Sequence, residues 1–189
     1  MLVMQAKAAA ERFLGHALPD AAAEDILKDM TLQFSNLVLV GMPGSGKTTV
    51  GRRLAELLHR PFVDVDELIV RKAGRSIPDI FARDGEAHFR VLESKVIEEL
   101  SAGHGLVVAT GGGSVLRERN RRLLQRNGLV FWLHRPLEEL PSAGRPVSLA
   151  RGVEAIFAER EPIYRALAHR IITSRTVEDA VRQIIGEKS

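Results

Sequence analysis

Between Leu37 and Leu58 the chain runs from a short apolar stretch, Leu37-Val38-Leu39-Val40, into Gly41-Met42-Pro43-Gly44-Ser45-Gly46-Lys47-Thr48. It then enters a segment whose apolar residues Val50, Leu54, Leu57 and Leu58 fall on one side of a helix. The middle part fits the pattern G-x-x-x-x-G-K-[ST] in the context that pattern requires, a buried strand before it and a helix after it. Glycines let backbone N–H groups converge on phosphate oxygens that side chains would obstruct, and the helix start adds its dipole and free donors. Gly44, Ser45, Gly46, Lys47, Thr48 and Thr49 are therefore expected around a nucleotide's phosphates. Lys47 is expected on the transferring phosphoryl group, and the Thr48 hydroxyl on magnesium. The pattern locates a nucleotide and leaves the reaction open.

The rest of the chain repeats the alternation of short apolar runs and longer amphipathic stretches, which predicts a parallel sheet with covering helices. Strands are expected at Pro61–Asp64, Leu106–Ala109, Leu129–Leu133 and Arg170–Thr173, besides the one at Leu37. Helices are expected over Thr48–His59, over Ile77–Leu100 with a break near Asp84-Gly85, and over Gly152–Leu167 and Val177–Ile185. A basic helix with Arg117, Arg119, Arg121, Arg122 and Arg126 on a solvated face should precede the fourth strand. From about 134 to 151, Pro136, Pro141, Gly144, Pro146 and Gly152 interrupt any pattern, so this stretch reads as a mobile lid. Residues 1–35 stand apart as a helical extension, with Ala8, Phe13 and Leu14, then Ile26, Leu27 and Met30, at helical spacing. Residues 36–189 form the domain that carries the chemistry.

At 189 residues the chain has room for one domain with a short appendage. It has no cysteine, which excludes thiolate metal sites, disulfides and thiol nucleophiles. Apolar runs such as Gly128–Leu133 are far too short to span a bilayer, and no signal-peptide apolar core develops near Ala8-Ala9-Ala10, so a cytoplasmic protein is expected. Of the 27 basic residues, 21 are arginine, although the net charge is only +3. Arginine's planar fork suits carboxylate and phosphate. Nucleic acid would call for basic residues interleaved with aromatics, and aromatics are 5% of the chain, so no nucleic-acid partner is expected.

The strand ending at Ala109 runs into Thr110-Gly111-Gly112-Gly113 with no acid, so the metal-side carboxylate must come from elsewhere. Asp64 and Asp66 flank Val65 after the second strand: alternation in an extended segment would send both toward the mouth of the sheet, or else the acids cap a helix beginning near Glu67. Three glycines in succession cost folding entropy and contribute nothing to packing, which suggests a ligand approaching backbone at Gly111, Gly112 and Gly113. Arg90 precedes Glu93 by three residues, close enough on a helix for an orienting pair. With Arg160, and with Arg145 in the lid, it suggests an acceptor that carries a carboxylate and a mobile cation that closes over the phosphates.

These segments together resemble the shikimate kinase family. The resemblance covers Leu37 to about Ile185 and rests on GMPGSGKTT, FVDVDELI, SIPDIFARDGEAHFRVLE, ATGGG, GRP and REPIYR, in the family's order. It implies a P-loop NTPase-type three-layer α/β fold, similar to nucleoside monophosphate kinases: a five-stranded parallel sheet flanked by helices, with a mobile lid. It implies ATP-dependent phosphorylation of the 3-hydroxyl of shikimate, with Mg2+ as cofactor and ATP and shikimate as small-molecule partners of a monomeric chain. In this reading Lys47, Asp66 and Arg145 are catalytic, and Thr48 and Asp64 serve the metal. Arg90 and Arg160 grip the substrate carboxylate, Gly111–Gly113 meet the ring hydroxyls, and Arg145 and Arg175 complete the ATP site. The chain departs from the family's pattern in a stretch from Leu133 to Arg145 that is shorter than the usual lid approach and lacks the basic residue often found there in the family. Two other readings keep the cradle: a kinase for gluconate or a nucleoside monophosphate, and a nucleotide-binding regulatory module without turnover. The Asp66, Arg90 and Arg160 set argues against the first, and intact Lys47, Thr48, Asp64 and Asp66 against the second.

Overall fold

In the computed structural model, which describes residues 34–140 and 147–186 (side chains of 147–151 excepted) and residues 5, 7, 8, 11, 12 and 15, five strands form one parallel sheet. The strands are β1 (Asn36–Val40), β2 (Phe62–Asp64), β3 (Val107–Ala109), β4 (Gly128–His134) and β5 (Arg170–Thr173), in the order β2-β3-β1-β4-β5. β1 sits at the centre, with Leu39 level with Ala109 of β3 on one side and Phe131 of β4 on the other. All five residues of β1 are buried, as an apolar run without alternation requires when both faces are covered.

Alternate residues serve opposite faces. Val38, Val40, Val108, Val130 and Trp132 pack with Val65, Ile69, Ile97, Leu124 and Tyr164. Leu37, Leu39, Val107, Phe131 and Leu133 pack with Val50, Leu54, Val181 and Ile184. The first face is therefore covered by α2 (Val65–Ala73), α3 (Ile77–Ala102), α4 (Glu118–Arg126) and α5 (Val147–Leu167). The second is covered by α1 (Lys47–Leu58) and α6 (Val177–Ile185). Three layers result, as the alternation predicts. No helix among the described residues is long and apolar enough to cross a membrane.

Local chemistry sets the helix boundaries. Ser76 caps α3 by accepting the Asp79 amide at 3.2 Å, and the break expected near Gly85 is real: its φ of 80° interrupts the helix. Asp64 caps α2, and Gly46, at φ 92°, opens α1. The basic helix differs from expectation. Arg119 and Arg122 are exposed and paired with Glu98 and Glu118, but Arg117 donates to the Arg90 carbonyl and Arg121 to the carbonyls of Val115 and Leu116. Those two arginines therefore turn inward to satisfy backbone acceptors of the preceding segment.

The stretch expected as a lid contains more regular structure than its prolines suggest. β4 runs through His134, a 3-10 turn spans Leu137–Glu139, and α5 begins at Val147, before the expected Gly152. Residues 141–146, and with them Arg145, lie outside the described residues. So does most of the N-terminal extension, of which Gln5, Lys7, Ala8, Glu11 and Arg12 are helical.

Candidate active site

The loop from Gly41 to Gly46 leaves the carboxyl end of β1 and enters α1 without a side-chain cap, so the first amides of the helix stay free for an anion. Gly44 and Gly46 adopt φ of 83° and 92°, a region that a side chain would strain. Lys47 is buried, and its ammonium donates to the Gly41 carbonyl at 3.0 Å, the Met42 carbonyl at 2.8 Å and Ser45 Oγ at 3.5 Å. Burial pulls it down to about 8, against the Asp66 and Asp64 carboxylates, which hold it up, while Arg160 adds to the fall. Ser45 is also buried, and Thr49 is exposed at the start of α1.

Thr48 Oγ1 donates to Asp64 Oδ2 at 2.8 Å, across from α1 to the end of β2. The other Asp64 oxygen accepts the amides of Asp66 and Glu67 at 3.0 and 3.3 Å. Asp64 is therefore a helix cap and a neighbour of the cradle at once. Of the two arrangements expected for the acids, the helix cap is the one found, two residues earlier than Glu67. They do not alternate along an extended strand, because the capped helix begins at Val65 and Asp66 occupies its first turn. A hydroxyl and a carboxylate are hard oxygen donors of the kind magnesium takes. Among the described residues no group of three or more histidines and carboxylates converges on one point. Such a pair suits an ion held mainly by nucleotide phosphates and water.

The Gly111–Gly113 turn, at the end of β3, gathers the remaining groups. A Cβ on Gly111 would stand 2.9 Å from Asp66 Oδ1 and 3.3 Å from Glu93 Oε1. On Gly112 it would stand 2.7 Å from Pro43 Cδ, and on Gly113 2.6 to 2.9 Å from the Arg90 guanidinium. None of the three has a positive φ among the described backbone, so space and not backbone conformation calls for glycine here. Each glycine admits a different neighbour: an acid, the phosphate loop and an arginine.

Arg90 is held in a fork. Its Nη1 donates to both Glu93 oxygens at 3.2 and 3.0 Å, and Nε and Nη2 reach Glu86 Oε1. Glu93 is fully buried and also accepts the Ser114 hydroxyl at 2.6 Å. Asp66 is pushed up to about 6 by burial first, then by the Asp64 and Glu93 charges, with Lys47 and Arg90 opposing. Arg160, on α5, has a buried Nε with no hydrogen-bond partner among the described residues. A buried guanidinium N–H left open beside Lys47 is a donor prepared for an anion. Arg175, in contrast, is 88% exposed, 3.6 Å from Glu139 beyond β4.

Two participants were not anticipated from sequence: Tyr164, whose hydroxyl donates to the Gly112 carbonyl at 2.6 Å, and Ser114 behind Glu93. The four-residue spacing of Arg160 and Tyr164 in REPIYR was the available signal for the first. Nothing in the sequence distinguishes Ser114 from any polar residue after a turn.

A phosphate-binding loop at the centre of a five-stranded parallel sheet, facing acids and arginines grouped around a neighbouring turn, defines a P-loop kinase. The shikimate kinase family model matches residues 43–188. Among its relatives is a shikimate kinase of Symbiobacterium thermophilum, 46% identical over 163 residues that cover 79% of this chain and 94% of that one. Among solved structures, shikimate kinase from Acinetobacter baumannii in complex with shikimate superposes with a TM-score of 0.74 at 35% identity, over 85% of this chain and 98% of that one. A gluconokinase from Sinorhizobium meliloti, at 19% identity and a TM-score of 0.53, shares the fold alone. The chain belongs to the shikimate kinase family, ATP-dependent transferases that phosphorylate a shikimate hydroxyl in aromatic amino acid biosynthesis.

Proposed function

We propose that this chain transfers the γ-phosphoryl group of ATP to the 3-hydroxyl of shikimate, with Asp66 on the nucleophile and Arg90 and Arg160 on the substrate carboxylate. The observation that carries this is the meeting of Asp66, Glu93 and the Arg90 fork at Gly111 and Gly113, beside Lys47.

ATP phosphates would bind the amides of Gly44–Thr49, and Thr48 with Asp64 would hold magnesium. When bound, that ion supplies positive charge against the β- and γ-phosphate oxygens. Lys47 exchanges its contacts with the Gly41 and Met42 carbonyls for phosphoryl oxygens. Asp66 accepts the 3-hydroxyl hydrogen bond and aligns its oxygen for in-line attack. The new O–P bond forms as the bridging bond to the β-phosphate breaks. The hydroxyl proton passes to Asp66, and ADP leaves. Glu93 and Ser114 fix Arg90 so that no rotamer search accompanies carboxylate binding. Gly112 meets the ring hydroxyls through its backbone, Arg145 closes over the phosphates, and Arg175 lies toward adenine. The kinase domain runs from residue 36, acts as a monomer in the cytoplasm, and carries residues 1–35 as an appendage.

A coupled ADP-release assay across shikimate, gluconate and nucleoside monophosphates, with and without magnesium, tests the reading. Magnesium-dependent turnover on shikimate is expected. Turnover on another acceptor with none on shikimate overturns it.

A further inference from the structure

Helix α5 presents Arg160 and, four residues later, Tyr164, the chain's single tyrosine. Tyr164 is fully buried, with its ring 5.8 Å from Trp132 and inclined by 25°. A buried phenol needs an acceptor, and the Tyr164 hydroxyl donates to the Gly112 carbonyl at 2.6 Å. Burial pushes its hydroxyl up to about 12 while the adjacent Arg160 opposes the rise, so it remains a donor throughout the neutral range. The hydroxyl thus donates to Gly112 and neighbours the Arg160 guanidinium, one turn earlier on the same helix. Gly112 in turn abuts the phosphate loop so closely that a Cβ would fall 2.7 Å from Pro43.

We propose that Tyr164 is a positioning residue for both substrates: its hydroxyl ties the Arg160 turn of α5 to the Gly112 carbonyl, and through Gly112 to the loop at Pro43. It touches neither substrate. Hydrogen bonding to Gly112 fixes where the phenol oxygen lies, and that oxygen orients the guanidinium that receives the acceptor's carboxylate. The proposal deepens the reading of Arg160 as a carboxylate grip and rests on it.

Two measurements test it, after turnover of the unsubstituted protein on shikimate has been established. Tyr164→Phe keeps the ring against Trp132 and removes the hydroxyl alone. One hydrogen bond of ordinary strength predicts a rise in shikimate KM of about three- to ten-fold, with kcat within about two-fold. Because the chain has one tyrosine, growth on 3-fluorotyrosine labels this position alone, and its 19F signal should move on adding shikimate and, separately, on adding ADP. An unchanged KM, or a signal that either ligand fails to move, in a protein that turns shikimate over overturns the assignment. Should Tyr164→Phe fail to fold, the 19F titration decides alone. No turnover of the unsubstituted protein on shikimate refutes the acceptor reading itself, and the assignment falls with it.

Discussion

Lys47 is the residue whose burial makes least sense without a ligand. Its ammonium is desolvated and held by two carbonyls, with Asp66 and Asp64 supplying negative charge nearby, a cost that phosphates in the proposed site would offset. Lys47→Met should therefore lower kcat by on the order of 10²–10³-fold, the usual consequence of losing one preorganised donor to developing charge. Melting temperature should not fall, and near-normal turnover would remove Lys47 from the mechanism. Arg90 calls for a gentler probe. Truncating it would strand the fully buried Glu93, at about 3–5 kcal/mol in stability, and confuse binding with folding. Gly113→Ala keeps both charges and presses on the guanidinium that pairs with Glu93. We expect shikimate KM to rise about ten-fold with kcat little changed, as for a contact equal in ground and transition states. A normal KM would take Arg90 off the carboxylate. Asp66 adds a pH dependence. With its carboxyl raised to about 6, it is an ionised acceptor above that pH and a neutral acid below it. Shikimate affinity of the metal- and nucleotide-free protein, followed by calorimetry, should weaken as pH falls through 6. Asp66→Asn should abolish that dependence, and persistence of the slope in the variant would assign it to another group.

The glycine turn after β3 divides its duties among three successive positions, which makes neighbouring substitutions distinguishable. Where Gly113→Ala presses on the Arg90 guanidinium, Gly112→Ala presses on the ring of Pro43 inside the phosphate loop. Gly112→Ala should raise the ATP KM several-fold and the shikimate KM less; steady-state kinetics with each substrate varied would show it, and the reverse order would contradict it. The sequence made this turn conspicuous but not its reason. A triplet of glycines signals that something comes close, and only tertiary packing reveals that the close groups are Asp66, Pro43 and Arg90. The same limit governs the acids. Asp64 and Asp66 were identifiable as a pair, but period-two spacing could not tell an extended segment from a capped helix start, because Asp64 is itself a good cap. β1, β5 and α6 were legible because apolar runs and periodicity are local properties. The early start of α5 was not, since Pro146 immediately before Val147 reads equally as a loop or as the lead into a helix.

Taken whole, the molecule sets its phosphate loop and its glycine turn on adjacent strands at the centre of the sheet: β1 delivers the first and β3 the second. Binding on either side stabilises the same folded unit. Shikimate at a hundred times its dissociation constant should add about 2.7 kcal/mol, a rise in melting temperature of roughly 5–10 °C for a chain of this length. No shift at millimolar shikimate would contradict the acceptor assignment. The pairing of Leu39 with Ala109 carries a further implication. The offset between the phosphate loop and the glycine turn is written in the rungs of one parallel ladder. A single slipped rung between these two strands would carry the glycine turn off the phosphate loop, whatever side chains the flanking helices supply.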